Sequence, residues 1–248
     1  PITLPSESVT RNSTSEMGVP VTASFHCQAE NISSHLFLMN STRFNTKIYK
    51  TLYSYVYKYC TAVHYPTQFI CDVFERECGH TTNHYVISNG VGKEFVRDPQ
   101  PKPAEFADKK VILFTGRYSR EKSHRVLIDG VAATRDPGRI QLVFAGCGPL
   151  DEKLHEYAAK VLPAENQPLF RFFSRPEMLK VLNYADLYVH PAEIEIEAIA
   201  CLEAIKCGLV PVIADSPRSA TRYFALTEKN LFRYDSPEDL ASCIDYWL

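Results

Sequence analysis

Two carboxylates with seven residues between them, Glu195 and Glu203, are the residues of this chain whose type and spacing speak most directly of chemistry. They lie in PAEIEIEAIACLEAIKCGLVPVI, Pro191 to Ile213. The runs LYVHP (187–191) and LVPVIA (209–214) on either side read as short buried strands, so the segment is strand, loop, helix, strand. A βαβ unit of this kind brings its loop to the carboxyl edge of a parallel sheet, where open α/β folds bind ligands. Glu195 falls in that loop. Glu203 falls further along the helix, on the face of Ile199.

Three more loops reach the same edge. Gly116-Arg117-Tyr118-Ser119-Arg120-Glu121-Lys122 follows a strand and opens a helix. A helix amino terminus favours an anion, and Arg117 and Lys122 add two cations, so a diphosphate is the natural ligand. The plainer alternative is a solvated loop with ordinary surface cations. Gly146-Cys147-Gly148-Pro149 is a second glycine turn that matches a dinucleotide fingerprint only superficially, because Pro149 and Leu150 stand where helix-opening residues would precede a third glycine. Ser174-Arg175-Pro176 and Ala192 to Ala198 complete the set, and four loops from one edge make one cleft. Glu193 and Glu197 read as its solvated rim.

These loops need a frame, and the pattern from Lys109 onward supplies one. Strands over 109–116, 141–146 and 169–173 alternate with helices over 123–134, 151–161 and 176–184. After the Glu195 segment come a helix over 218–224 and a capped last helix in SPEDLASCIDYWL. Such alternation means a doubly wound parallel sheet. Upstream, VPVTASF (19–25) reads as a buried strand ending at His26, followed by the polar loop CQAENISSH. An aromatic stretch (36–65), a loop and helix (65–78), and a strand (84–91) closed by Asn-Gly come next. A proline- and charge-rich linker at 98–108 sets the expected domain boundary, with 1–97 and 98–248 on its two sides.

Composition narrows the classes. With 248 residues, 45% of them hydrophobic and 23% charged, the chain suits one large or two small globular domains. A net charge of −2 speaks against a dedicated nucleic-acid binder. Eight cysteines without a CxxC pair read as reduced core thiols of a cytosolic protein. In such a protein the sequons at Asn12, Asn31 and Asn40 are chance. No apolar run is long enough to span a bilayer. The opening at Pro1 and the stop within a helical pattern at Trp247-Leu248 read as an internal piece of a longer protein. His80 and His84 would pair on a metal only in a helix, to which HTTNH is ill suited, so no metal site is expected.

GRYSREK, AGCGP and the Glu195 to Glu203 segment followed by CGLVPVIA resemble the GT-B glycosyltransferases of glycosyltransferase family 4, and the resemblance runs from Gly18 to Tyr246. ASFHCQAENISSH, HYPTQF, VISNGV, EIEAIACLEAI and SATRYFAL resemble, within it, bacterial diacylglycerol glucosyltransferases. The resemblance implies an α/β, GT-B fold: two Rossmann-like domains facing across a cleft, the first incomplete at its N-terminus and the second truncated near its C-terminus. It implies a retaining hexosyl transfer from a nucleotide diphosphate sugar, in which Arg117 and Lys122 grip the donor diphosphate without a divalent metal or other cofactor. The absence of an Asp-x-Asp triplet agrees. Glu203 matches the carboxylate that takes the ribose hydroxyls and Glu195 the acid at the donor sugar. Gly116, Gly146, Gly148, Arg175, Pro176, Ile196, Glu197, Ala198 and Ile199 complete the donor side. His26 matches a histidine near the reacting sugar, and Gln28, Glu30 and Asn31 fall on the acceptor side. Where the family has glycine, aromatic, glycine after the first acid, this chain has Ile196, Glu197 and Ala198, which puts the backbone contacts there in question.

The expected donor is UDP-glucose and the acceptor a diacylglycerol or glycolipid. GDP-mannose or a polysaccharide acceptor is the runner-up, and a non-catalytic nucleotide-sugar binding module the alternative of another class. An NAD-dependent oxidoreductase fails for want of a proper fingerprint and ribose-binding acid. Residues 31–71 hold Arg43, Lys47, Lys50 and Lys58 without one Asp or Glu, interleaved with Tyr49, Tyr53, Tyr55, Tyr57 and Tyr59. This suits either a helix resting on anionic lipid, through 36–65 at the inner face of the plasma membrane, or a core helix with a basic solvent face.

Overall fold

The computed structural model describes residues 19–34 and 36–248. The Asn12 sequon, the start of the family-like stretch at Gly18, and His35 at the end of CQAENISSH lie outside the described residues. Contacts divide the chain into two compact units between Asn89 and Gly90.

The second unit is a six-stranded, wholly parallel sheet. Its strands are β4 (Lys110–Thr115), β5 (Ile140–Ala145), β6 (Leu169–Arg171), β7 (Leu187–His190), β8 (Pro211–Asp215) and β9 (Leu231–Arg233), in the order β6-β5-β4-β7-β8-β9. The order reverses direction between β4 and β7, whose register pairs Ile112 with Leu187. That is the topological switch point at which open α/β sheets take ligands. Alternate residues divide between two cores, as the two-residue period of a strand requires. Ile112, Phe114, Leu142, Phe144, Leu187 and Val189 pack with Leu127 and Ile128 of α4 (His124–Ala132), Leu154 of α5 (Asp151–Val161) and Leu240 and Ile244 of α8 (Pro237–Trp247). Val111, Leu113, Val143, Tyr188 and Ile213 pack with Val181 and Leu182 of α6 (Arg175–Tyr184) and Cys201 and Ala204 of α7 (Ile199–Lys206). A sheet covered on both faces explains why its strands read as continuous apolar runs.

The first unit has a three-stranded parallel sheet in the order β1-β2-β3: β1 (Thr22–Ser24), β2 (Ala62–Tyr65) and β3 (His84–Val86). Its helices are α1 (Ala29–Ser34), α2 (Thr42–Tyr55) and α3 (Gln68–Cys78). The core is an aromatic knot in which the Phe25 ring lies 4.3 Å from Phe74, 5.2 Å from Tyr57 and 5.8 Å from Tyr65.

Several expectations are corrected. The strand before His26 is short and half-exposed, and only Phe25 after it is deeply buried. The aromatic stretch is helical only to Tyr55, and Ala62–Tyr65 forms the central strand of the small sheet. Residues 218–224 form a 3₁₀ turn over Ala220–Phe224, and β9 was not foreseen. The domain division falls before the proline-rich linker. Phe95 is buried in the second core, the Glu94 carboxylate binds Arg175, and the Asp98 and Gln100 amides donate to Asn183.

Candidate donor-site loops of the second unit

Glycine fixes the first two loops by backbone contact. Gly116 N donates to Ala145 O, Tyr118 N to Cys147 O and Leu150 N to Tyr118 O, at 3.0–3.2 Å. Buried Tyr118 reaches under them, its hydroxyl donating to Phe144 O at 2.7 Å. A Cβ on Gly146 would run into the Gly116 carbonyl oxygen, and one on Gly148 would stand 2.5 Å from the Tyr118 carbonyl oxygen. The glycines of GCGP therefore serve loop-on-loop packing. The loops line a cavity of about 650 Å³ with Arg117, Phe172, Phe173 and Met178. Arg117 is exposed there and has no ion pair among the described residues.

Lys122 ends a 3₁₀ turn, Arg120–Lys122, after which Ser123 adopts a left-handed conformation (φ 52°) and α4 begins. The Lys122 ammonium binds Glu195 Oε2, with both side chains less than one-fifth exposed. His190 Nε2 lies 3.5 Å from the same oxygen, and the Ile196 amide donates to Glu195 Oε1 at 3.2 Å. Burial alone would raise the Glu195 carboxyl, but Lys122 and His190 outweigh it and hold it well below the usual carboxylate range. The loop is tied down by a bridge from Glu195 to Ser219, with Ala220 N donating to Glu195 O at 2.8 Å.

Glu203 sits in different surroundings. Burial raises its carboxyl, Arg175 opposes, and Glu94 adds to the rise. Arg175 is exposed, bound to Glu94 through Nε at 2.9 Å and lying over the Phe95 ring. Pro176 occupies the first turn of α6, behind a Ser174–Glu177 capping box. The two acids paired by sequence spacing are thus pushed in opposite directions, the pattern expected of carboxylates with different tasks.

The rim reading of Glu193 and Glu197 is overturned. Glu193 pairs with Arg218, and its carbonyl accepts from Ser216 Oγ at 2.6 Å. Glu197 is only 4% exposed. Ala198 takes the left-handed conformation (φ 56°, ψ 59°) at the mouth of α7, a conformation in which glycine is ordinarily found. Ile199 is exposed on the first turn.

In the first unit His26 is exposed, its ring 5.5 Å from that of His64. Gln28 is buried, and Asn31 N donates to Gln28 O at 3.0 Å. Glu30 accepts from the Tyr49 hydroxyl at 2.9 Å, while the Ala29 amide donates to the same hydroxyl at 3.1 Å, so Glu30 holds α1 to α2. His80 stacks on Tyr53. His84 contacts Glu75 at 3.1 Å in a group with Cys71, but Glu75 already accepts from the Thr82 amide and hydroxyl at 2.7 Å. Five cysteines are buried, and Cys147 is exposed on the cavity lined by Arg117 and Phe172. The residues missed from sequence are His190, Tyr188 beneath it, and the Glu193–Arg218 pair. Only the two-residue spacing of Tyr188 and His190 in an apolar strand could have flagged them.

The family model described as "Glycosyl transferases group 1" matches residues 96–248, more than half of the chain. The chain belongs to this family. Among solved structures, this group 1 glycosyl transferase is 45% identical to the catalytic domain of cholesterol-alpha-glucosyltransferase from Helicobacter pylori, over 56% of this chain and 86% of that one, with a TM-score of 0.53. Anabaena HepE in complex with UDP and glucose matches 97% of this chain and 65% of its own with a TM-score of 0.75; at 18% identity it shows the shared GT-B fold alone. An uncharacterized glycosyltransferase of Methanocaldococcus jannaschii is 28% identical over 109 residues, 44% of this chain. The chain spans 28% of that relative's length.

Proposed function

We propose that the protein transfers glucose from UDP-glucose, with retention of the α configuration, to the hydroxyl of a membrane lipid, a sterol in preference to a diacylglycerol. The observation that carries this reading is the 45% identity to a cholesterol-alpha-glucosyltransferase catalytic domain. An α-linked donor and an α-linked product mean retention.

In this reading Arg117 and Lys122 take the donor diphosphate and stabilise the departing UDP, so their charges do the work a divalent metal does elsewhere. Glu203 accepts from the ribose hydroxyls and Glu195 from the sugar. The released phosphate oxygen removes the acceptor proton, and His26 orients the acceptor. The lipid arrives from a membrane surface at the cytoplasmic face, on which the first unit rests. Arg43, Lys47 and Lys50 lie exposed along α2, and Leu36, Phe37 and Leu38 are exposed just before it. Cations near an anionic surface contribute about 1 kcal/mol each.

The test is transfer by the full-length protein from UDP-glucose or GDP-mannose to cholesterol or diacylglycerol in vesicles, with the product anomer assigned by NMR. UDP-glucose and cholesterol should give the α-glucoside. Arg117→Ala with Lys122→Ala should cost at least about 100-fold in kcat, and Glu203→Ala should weaken UDP binding. A β product, or full activity after both cation changes, would sink the reading.

A further inference from the structure

The Lys122–Glu195 pair rests on a second layer of polar groups. Strand β7 is buried along its length, and the period of a strand puts Tyr188 and His190 on one face of it. Tyr188 is fully buried, and burial pushes its phenol well above the ordinary value, so it keeps its proton and can donate. Its hydroxyl lies 3.3 Å from His190 Nδ1. His190 is 2% exposed; burial pushes its imidazole down against the pull of Glu195, which leaves the ring neutral. A neutral imidazole has one donor and one acceptor nitrogen, and the tautomer in which Nδ1 accepts from the phenol puts the hydrogen on Nε2. That nitrogen is buried, has no hydrogen-bond partner among the described residues, and faces at 3.5 Å the Glu195 Oε2 that also takes Lys122, so a small approach of the carboxylate satisfies it.

We infer that Tyr188 and His190 form a positioning rail under the donor loops, holding the Glu195 carboxylate, and through it the Lys122 ammonium, where the nucleotide sugar is engaged. The inference rests on the donor-site roles proposed above for Lys122 and Glu195. Tyr188 and His190 are too deeply buried to touch substrate, so they act through Glu195. The loop they steady enters α7 through the left-handed Ala198, and its ties to the 216–220 segment run through the Glu193 side chain and the backbone of Glu193 and Glu195, which leaves the Glu195 carboxylate itself to be placed by other groups. A histidine kept only to fill the core would need volume. A rail needs the Nε2 hydrogen.

The experiment separates the two on the full-length protein. In the unliganded protein at neutral pH, ¹⁵N–¹H correlation should find His190 as the Nε2–H tautomer, and Glu195→Gln should move its Nε2 resonance. His190→Leu keeps volume without the donor and should lower kcat/KM for UDP-glucose about 100-fold, as a displaced catalytic group does. His190→Gln restores a donor and should stay within about tenfold of the parent. Equal activity of the Leu and Gln variants, or an Nδ1–H tautomer, overturns the rail. Should the parent neither bind UDP nor turn over UDP-glucose, the donor-site reading fails, and a His190 resonance indifferent to Glu195→Gln separately removes the rail. If His190→Leu does not fold, Tyr188→Phe replaces it: a tautomer shifted toward Nδ1–H supports the rail and an unchanged one overturns it.

Discussion

The two units solve the same packing problem by different means. In the second, backbone meets backbone: six parallel strands buried on both faces, and glycine loops at the sheet edge that donate directly to one another. In the first, a three-stranded sheet with half-exposed strands at both edges is held by side chains, through the aromatic knot around Phe25 and hydrogen bonds such as Tyr49 to Glu30. Backbone proximity tolerates few residue types and leaves short legible motifs. Side-chain packing tolerates many combinations, and its sequence is diffuse.

One glycine from each unit puts that contrast at risk. Gly146→Ala drives a Cβ into the Gly116 carbonyl, and neither backbone can yield without opening the loop pair. A loss of about 3 kcal/mol or more is expected in urea unfolding, at the upper end for single changes. Gly79 caps α3 with φ 79° and has open space where a Cβ would go. Gly79→Ala should therefore cost only the left-handed penalty, about 1 kcal/mol. Equal losses at the two sites would mean that loop contact is not what holds this sheet edge.

The same contrast explains what the sequence could reveal. The helix over Asp151–Val161 is amphipathic and the strand at Leu187–His190 is a continuous apolar run, and both are found close to where they were expected. The Glu195 loop was legible because few residue types serve at a sheet edge. Strand β2 was not: Ala62–Tyr65 follows an aromatic helix without glycine or proline, and only its pairing with β1 and β3 makes it a strand. Burial of Glu197 and the His190 contact were hidden because a charge and an imidazole in a loop or strand read alike whether solvated or enclosed. The position of Lys122 against Glu195 joins residues far apart in the chain. No local pattern announces such a pair.

A second, smaller effect separates polar contacts by burial. Lys122→Ala leaves the Glu195 carboxylate enclosed with its main counter-charge gone, and such a change costs about 3 kcal/mol. Removing both partners, with Glu195→Gln added, should recover part of the loss, because no orphan charge remains. The pair also predicts a pH dependence. The folded Glu195 carboxyl is held below its ordinary value, so the unfolded chain binds its proton first as pH falls. Its contribution to stability is full above about pH 4.3, the ordinary glutamate value, and is lost progressively below it. Urea midpoints at pH 6 and pH 3.5 should fall less in Glu195→Gln than in the parent. Equal falls would remove the pair as a stabilising contact.

The smallest change tests whether the Glu195 loop stores strain. Ala198 sits at φ 56°, where an L residue with a Cβ costs about 1–2 kcal/mol. Ala198→Gly removes that cost but adds about 0.5–1 kcal/mol of backbone entropy to be lost on folding. The balance favours the variant by about 0.5 kcal/mol, a rise of roughly 1–2 °C in Tm for a unit of this size. What the alanine contributes in exchange is a narrower choice of conformations for the residue that follows Ile196 and Glu197. On the proposed donor-site reading, the glycine variant should therefore be slightly more stable yet bind UDP more weakly, because a looser loop loses more entropy when a ligand orders it. A variant that gains in both stability and affinity would show that Ala198 is an ordinary substitution at a glycine position, and that its left-handed backbone does nothing for the shape of this loop.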